Sequence, residues 1–309
     1  MSNNFTHHLN NRNVIVTGGA GFIGSHLVKK LCSLGAHVTV IDTAPLPDLL
    51  MPFMNQISYI KADITASDAM VQHAAGHDTI FHCAAMASVA PSFEDPLLCM
   101  KLNIMGTANL LEAARRNNIN RFIFSSSAAV YGPNSGSCHE NMTPHPMSPY
   151  GFSKWHGELL CQEYQQLYGI TTVSLRYFNV FSADMASADG LAPVYARFRY
   201  ALSMNKPITL YGSGQQTRDF VAVDDVVQAN ILCGTAPQQF LLENGLLGNA
   251  LNVGSGSSIS LLQLFEKLKT EFPGYDQEPV LMPARPGDIN HSIADCSKLD
   301  SLRKKAMIY

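Results

Sequence analysis

The chain has 309 residues; 46% are apolar, 15% are charged, and 22 are glycine and 16 proline. That length suits one large domain or two joined ones, and the composition excludes a disordered chain, a coiled coil and collagen. Lys and Arg number 21 against 24 Asp and Glu, a net charge of −3, so no basic balance points to a nucleic-acid surface.

Residues 13–17 form a short apolar, β-branched run followed at once by glycines. The pattern predicts a strand there, a helix over 22–34, and a second strand over 36–41 that ends at Asp42. Residues 57–60 and 79–83 read as further strands, with a helix over 67–75 between them. A long helix is expected over about 95–117, with Pro96 suited to its first turn. The next strand covers 121–124. A helix over 149–168 stops at Gly169, and a strand over 172–176 follows. Beyond an irregular stretch come a helix over about 193–204, a short strand over 208–211, and a return to the sheet at 251–253. Apolar strands alternating with helices imply a parallel sheet covered on both faces. The expected fold is α/β: a Rossmann-type doubly wound parallel sheet with a smaller, interleaved α/β lobe. Residues 1–177 and about 218–254 belong to the sheet domain, and 178–217 with 255–309 to the substrate lobe.

Gly18, Gly21 and Gly24 fall between the first predicted strand and its helix. Such a turn lets backbone approach a pyrophosphate, and the helix N-terminus offers it free N–H groups. Asp42, closing the next strand, can accept hydrogen bonds from ribose hydroxyls and would repel a 2′-phosphate, which favours NAD over NADP. Tyr150 and Lys154 are one helical turn apart, so both side chains share a face. Moving a tyrosine from about 10 to near 7 takes about 4 kcal/mol. The lysine together with a positive nicotinamide ring is the expected source, making Tyr150 a general base. Ser125, Ser126 and Ser127 follow the strand at 121–124, at the sheet edge where ligands sit.

No apolar run reaches the roughly 18 residues that a membrane crossing requires, and the polar N-terminus has no secretory core. Seven scattered cysteines without a Cys-x-x-Cys pair suggest reduced thiols in a cytoplasmic protein and no metal site.

The ordered set of motifs resembles the extended short-chain dehydrogenase/reductase superfamily, and within it the NAD-dependent nucleotide-sugar 4-epimerases. It comprises the glycine turn, Phe81-His82-Cys83-Ala84-Ala85, Asn103-Ile104-Met105-Gly106-Thr107, Phe124 through Gly132, Ser148 through Lys154, Leu175 through Asn179, Thr217-Arg218-Asp219-Phe220 and Arg285-Pro286-Gly287-Asp288. The resemblance implies Ser127, Tyr150 and Lys154 as catalytic residues. It implies a cofactor set of Gly18, Gly21, Phe22, Ile23, Gly24, Asp42, Asp63, Ile64, Ala84, Ala85, Asn103, Tyr150, Lys154 and Tyr177. Asn179, Arg218, Arg285, Asp288, Ser127 and Ser292 are implied to hold a UDP-sugar, the arginines as forks on its diphosphate. Dehydratases and decarboxylases of the superfamily place an acid just after the catalytic Ser or Thr, where this chain has Ala128 and Ala129. The expected activity is therefore 4-epimerisation through a transient 4-keto sugar, with NAD staying tightly bound. Another conversion of a nucleotide sugar and a non-catalytic NAD-binding regulator remain the alternatives. Ser292 stands where members restricted to UDP-glucose and UDP-galactose tend to carry Tyr, so UDP-N-acetylglucosamine and UDP-N-acetylgalactosamine, or their uronic-acid forms, are the expected substrates. UDP-glucose and UDP-galactose stay open. A homodimer is implied by analogy, and the chain ends sooner after Lys298 than related chains do.

Overall fold

The short apolar runs become the strands of one sheet. In the computed structural model, which describes residues 5–189, 192–284 and 289–308, the strands are β1 Asn13–Thr17, β2 His37–Asp42, β3 Ile57–Lys61, β4 Thr79–His82, β5 Arg121–Ser127, β6 Thr171–Tyr177, β7 Asn179–Phe181, β8 Thr209–Tyr211, β9 Thr217–Arg218, β10 Phe220–Ala222, β11 Ala250–Val253, β12 Ile259–Ser260 and β13 Val280–Met282. The helices are α1 Phe22–Ser33, α2 Ser67–His73, α3 Val89–Glu94, α4 Pro96–Met100, α5 Gly106–Arg116, α6 Pro149–Tyr168, α7 Val194–Ser203, α8 Val223–Thr235, α9 Gln238–Glu243, α10 Leu261–Lys269 and α11 Ser297–Ala306.

Seven strands build the main sheet in the spatial order β3-β2-β1-β4-β5-β6-β11, and every pair in it is parallel. The order reverses between β1 and β4. That switch point opens a crevice beyond the carboxyl ends of the strands, where ligands of such sheets bind. One face packs Leu27, Val28 and Leu31 of α1 with Val226, Ile231 and Leu232 of α8. The other face packs Met70, Leu110, Leu111 and Cys161 from α2, α5 and α6. A separate apolar core of Tyr195, Phe198, Leu210, Leu264, Phe265 and Leu268 holds the smaller lobe together. Among the described residues, no helix is long and apolar enough to cross a membrane.

Four differences from the sequence reading have physical causes. The helix expected over 95–117 is broken by a π-helical turn at Lys101–Met105 between α4 and α5; such turns are invisible to periodicity. Strand β5 runs on through Ser127 and pairs Ser125, Ser126 and Ser127 with Leu175, Arg176 and Tyr177. The serines are thus strand residues, not a turn after the strand. Helix α8 is buried on nearly all sides, so it has no polar stripe to betray it. Finally, α11 was assigned by sequence to the substrate lobe, yet Leu299, Leu302 and Ala306 are buried in the α1–α8 core. The C-terminal segment therefore closes the sheet domain.

Candidate active site

A cleft of about 1530 Å³ runs over the carboxyl ends of the strands, from the glycine turn to the smaller lobe. Pockets for one drug-sized ligand measure about 300–1,000 Å³, so this one has room for two.

At the first end, Gly18 has φ +68 and its missing Cβ would lie 2.5 Å from the Ala84 backbone nitrogen. At Gly24 a Cβ would meet the Gly18 carbonyl at 2.1 Å. Both glycines are required for α1 to begin this close to β1 and β4. No side chain caps α1 at Gly21, and its first turn carries no acid. Its leading N–H groups and partial positive charge therefore face the cleft uncompensated by side chains. Asp42 borders the same end; its carboxylate accepts from Ala20 N at 2.9 Å and Ala44 N at 3.0 Å, which leaves lone pairs for a ribose. Phe22, Ile23, Asp63, Ile64, Ala84 and Ala85 line the wall beside it. This donor set fits a dinucleotide: an N–H cradle for the pyrophosphate and carboxylates for the hydroxyls.

In the middle of the cleft stand Ser127, Tyr150, Lys154 and Tyr177. Helix α6 starts where Ser148 caps it, accepting from Gly151 N at 3.0 Å, with Pro149 at its first position. That start places Tyr150 in the cleft wall and Lys154 one turn along the helix. Lys154 is 3% exposed, and its ammonium donates to the Ser125 carbonyl at 2.8 Å. It lies 5.0 Å from the Phe124 ring centroid and 5.9 Å from that of Tyr150. Burial lowers its pKa from the ordinary 10.5 to about 8. The Tyr177 hydroxyl is held by Asn230 Nδ2 at 2.7 Å and lies 3.1 Å from Ser125 Oγ.

The expected lowering of the Tyr150 pKa is not produced by the chain itself. Burial pushes the phenol above its ordinary value, and the hydrogen bond with Ser127 offsets this only in part. The remaining lever is a positive charge brought into the cleft.

Asn103 departs from its expected place. It is 2% exposed and does not line the cleft. Its amide accepts from Met86 N at 2.7 Å and donates to Ser153 Oγ at 2.8 Å, so these partners hold it away from a ligand. Ser153 Oγ donates in turn to the Tyr150 carbonyl at 2.8 Å.

The far end of the cleft is lined by Asn179, Arg218 and Ser292. Arg218 donates to the Thr217 carbonyl at 2.8 Å, and Ser292 is 4% exposed. Arg285 and Asp288 lie outside the described residues. Arg197 of α7, Gln216 and Tyr211 also line this end. Sequence reasoning missed all three, because none belongs to a spacing that signals chemistry. Asp219 follows Arg218 in the chain and is the acid nearest to it in sequence. Its fully buried carboxylate accepts from Ser255 N, Ser255 Oγ, Gly256 N and Ala294 N at 2.7–3.0 Å. Among the described residues no group of three or more His, Cys, Asp or Glu is placed to hold a metal ion.

The family model described as "NAD dependent epimerase/dehydratase family" matches residues 14–254. A UDP-glucose 4-epimerase of Mycolicibacterium smegmatis is 33% identical over 301 residues, which cover 95% of this chain and 91% of that one. The solved UDP-N-acetylglucosamine 4-epimerase of Methanobrevibacter ruminantium, in complex with UDP-N-acetylmuramic acid, is similar with a TM-score of 0.85 at 34% identity over 96% of each chain. The UDP-glucose 4-epimerase of Thermotoga maritima, solved with UDP-glucose, gives 0.85 at 34% identity, also over 96% of each chain. These similarities span the glycine turn, the Ser-Tyr-Lys wall and the smaller lobe together. The chain belongs to the NAD dependent epimerase/dehydratase family, with NAD as its cofactor.

Proposed function

We propose that this protein interconverts the C4 epimers of a UDP-hexose, with UDP-N-acetylglucosamine and UDP-N-acetylgalactosamine, or their uronic-acid forms, as the preferred pair. One observation carries the reading: Ser127, Tyr150 and Lys154 share a cleft wall with Ala128 and Ala129. NAD, when bound at the glycine turn, supplies the acceptor for the C4 hydride and its return. Tyr150 takes the proton of the 4-hydroxyl and gives it back. Ser127 holds the reacting oxygen by a hydrogen bond, and Lys154 keeps positive charge below the phenol. Eliminating water or losing carbon dioxide demands a further group that moves a proton, and two alanine methyls cannot do so.

Inversion requires the oxidised sugar to present its other face while its diphosphate stays anchored. Asn179 and Arg218 suit that anchoring role, joined by Arg285, while Asp288 suits a hydroxyl of the UDP-sugar as a hydrogen-bond acceptor. Guanidinium forks match phosphate oxygens in pairs. Ser292 is small and leaves space beside the sugar's 2-substituent, which is the ground for preferring N-acetylated substrates. The related epimerases named above act on sugars of both classes.

A homodimer belongs to the same proposal. Leu97 is 77% exposed and Met105 55%, while Leu167 of α6 is 64% exposed. A second copy laid on these helices would remove that apolar area from water, and sedimentation velocity reads the outcome.

The test is incubation with UDP-N-acetylglucosamine and with UDP-glucose in separate tubes, without added oxidant, followed by NMR of the sugars. The C4 epimer is expected in both tubes or in the first alone. NADH accumulating in step with turnover, or a Tyr150→Phe variant of full activity, would refute the scheme.

A further inference from the structure

Tyr150 is held by more than its own helix. Its backbone N–H is one of the leading donors that a helix cannot satisfy internally. The cap Ser148 takes the N–H of Gly151, and the N–H of Tyr150 donates instead to Ser92 Oγ at 3.1 Å. Ser92 belongs to α3, is fully buried, and its own hydroxyl donates to the Val89 carbonyl at 2.6 Å. The opposite side of α3 is cleft wall: Val89, Ala90, Phe93 and Glu94 face the space, and Phe93 is 46% exposed. The carbonyl of Tyr150 is tied to the start of the same segment, through Ser153 Oγ, the Asn103 amide and the backbone of Met86.

One end of the segment 86–92 is thus hydrogen-bonded directly to the N–H of Tyr150, the other is linked to its carbonyl through Asn103 and Ser153, and that residue is the assigned base. A displacement of this wall moves the N–H and carbonyl anchors of Tyr150, while Ser127 on β5 stays with the rigid sheet.

We propose that Ser92 is a positioning residue: it couples the wall that a bound sugar presses against to the backbone of Tyr150, and so sets the distance of the phenol from Ser127. The proposal rests on Tyr150 being the base. It makes Ser92 matter to the chemical step and not to binding, since its side chain faces away from the cleft. Misplacement of a reacting group by about 1 Å costs up to about a hundredfold in rate.

The experiment compares wild type, Ser92→Ala, Ser92→Cys and Tyr150→Phe, each purified with its NAD, on the UDP-sugar that the wild type turns over. Four readouts are taken: kcat, KM, NAD content and the dependence of kcat on pH. The expected result for Ser92→Ala is kcat lower by about tenfold or more, with KM and NAD content within about twofold. Its ascending limb of kcat should move to higher pH, because a phenol further from Ser127 loses the bond that favours its ionised form. Ser92→Cys, near in size and a weak acceptor, should fall between the two. An unchanged kcat, or a loss shared equally by kcat, KM and NAD content with no movement of the pH limb, overturns the proposal. If Ser92→Ala does not fold, Ser92→Cys decides on the same criteria. An active Tyr150→Phe would sink the assigned base itself; an inactive one beside an unaffected Ser92→Ala sinks only the coupling.

Discussion

Lys154 should lower the stability of the protein at neutral pH, and replacing it by methionine should expose that cost. Its ammonium is 3% exposed and has one hydrogen-bond partner, the Ser125 carbonyl. The folded pKa near 8 lies below the ordinary 10.5, so the folded chain holds the proton less firmly than the unfolded chain. The penalty is fully present below about pH 8 and fades as pH rises from there toward 10.5. Its size at pH 7 is about 3 kcal/mol. Methionine removes the penalty but leaves the Ser125 carbonyl without this donor, a cost of about 1–3 kcal/mol. The two chains should therefore be nearly equal in stability at pH 7. The measurement is urea unfolding of wild type and Lys154→Met, without ligand, at pH 7 and pH 10. The wild type should gain about 2–3 kcal/mol relative to the variant across that interval, while the variant loses at least a hundredfold in turnover at pH 7. A stability difference that stays flat with pH would show that burial does not set the lysine's pKa, and the reasoning would fail.

Gly24→Ala pushes a methyl against the Gly18 carbonyl and the Gly19 backbone, which cannot retreat as a side chain would. The expected result is a loss of about 1–3 kcal/mol in unfolding and weaker NAD retention through gel filtration. His82 is 1% exposed, bonded to Thr17 and Thr107, and burial lowers its pKa to about 3. The unfolded chain gains this proton near pH 6.5 and the folded chain does not, so stability should fall as pH drops from about 6.5 toward 3, by about 3 kcal/mol at pH 4. A His82→Gln variant followed by urea unfolding should lack that slope. Asp219→Asn replaces an acceptor-only group by one with two donors facing Ser255, Gly256 and Ala294. It should cost about 2–4 kcal/mol and raise KM for the UDP-sugar more than it lowers NAD content.

The cofactor half of the cleft was legible because its determinants are local. A strand, three spaced glycines and a helix follow one another in the chain, and Tyr150 and Lys154 are joined by one helical turn. The seven-strand order then follows from parallel connections. What was not legible depends on contacts between distant segments. Asn103 is buried away from the cleft, its amide turned to Met86 and Ser153, and no spacing reports a side-chain direction. Burial raises the pKa of Tyr150 and the hydrogen bond with Ser127 lowers it only in part, a balance that the spacing of Tyr150 and Lys154 does not report. Helix α8 has only a narrow exposed strip, at Asp224 and Gln228, and α11 reaches the sheet core through three apolar residues separated from it by the whole smaller lobe.

The far half of the cleft shows why substrate recognition is harder to read than cofactor recognition. Arg218 precedes Asp219 in the chain, and Ser292 stands two positions before Ala294, the residue whose N–H Asp219 accepts. One buried carboxylate therefore holds the backbone beside both Arg218 and Ser292, the residues proposed above for the diphosphate and the sugar. Ser255 and Gly256, just past β11, complete its shell and tie the arrangement to the main sheet. In the proposed function a change of substrate through Ser292 would not require rebuilding the anchor, since the backbone two residues beyond it stays held by Asp219. The cofactor end has no such freedom, because backbone atoms of Ala84, Gly18 and Gly19 occupy the space that a side chain at Gly18 or Gly24 would need. The rigid requirement thus lies at the NAD end of the cleft, and the adjustable position, in the proposed function, at the sugar end.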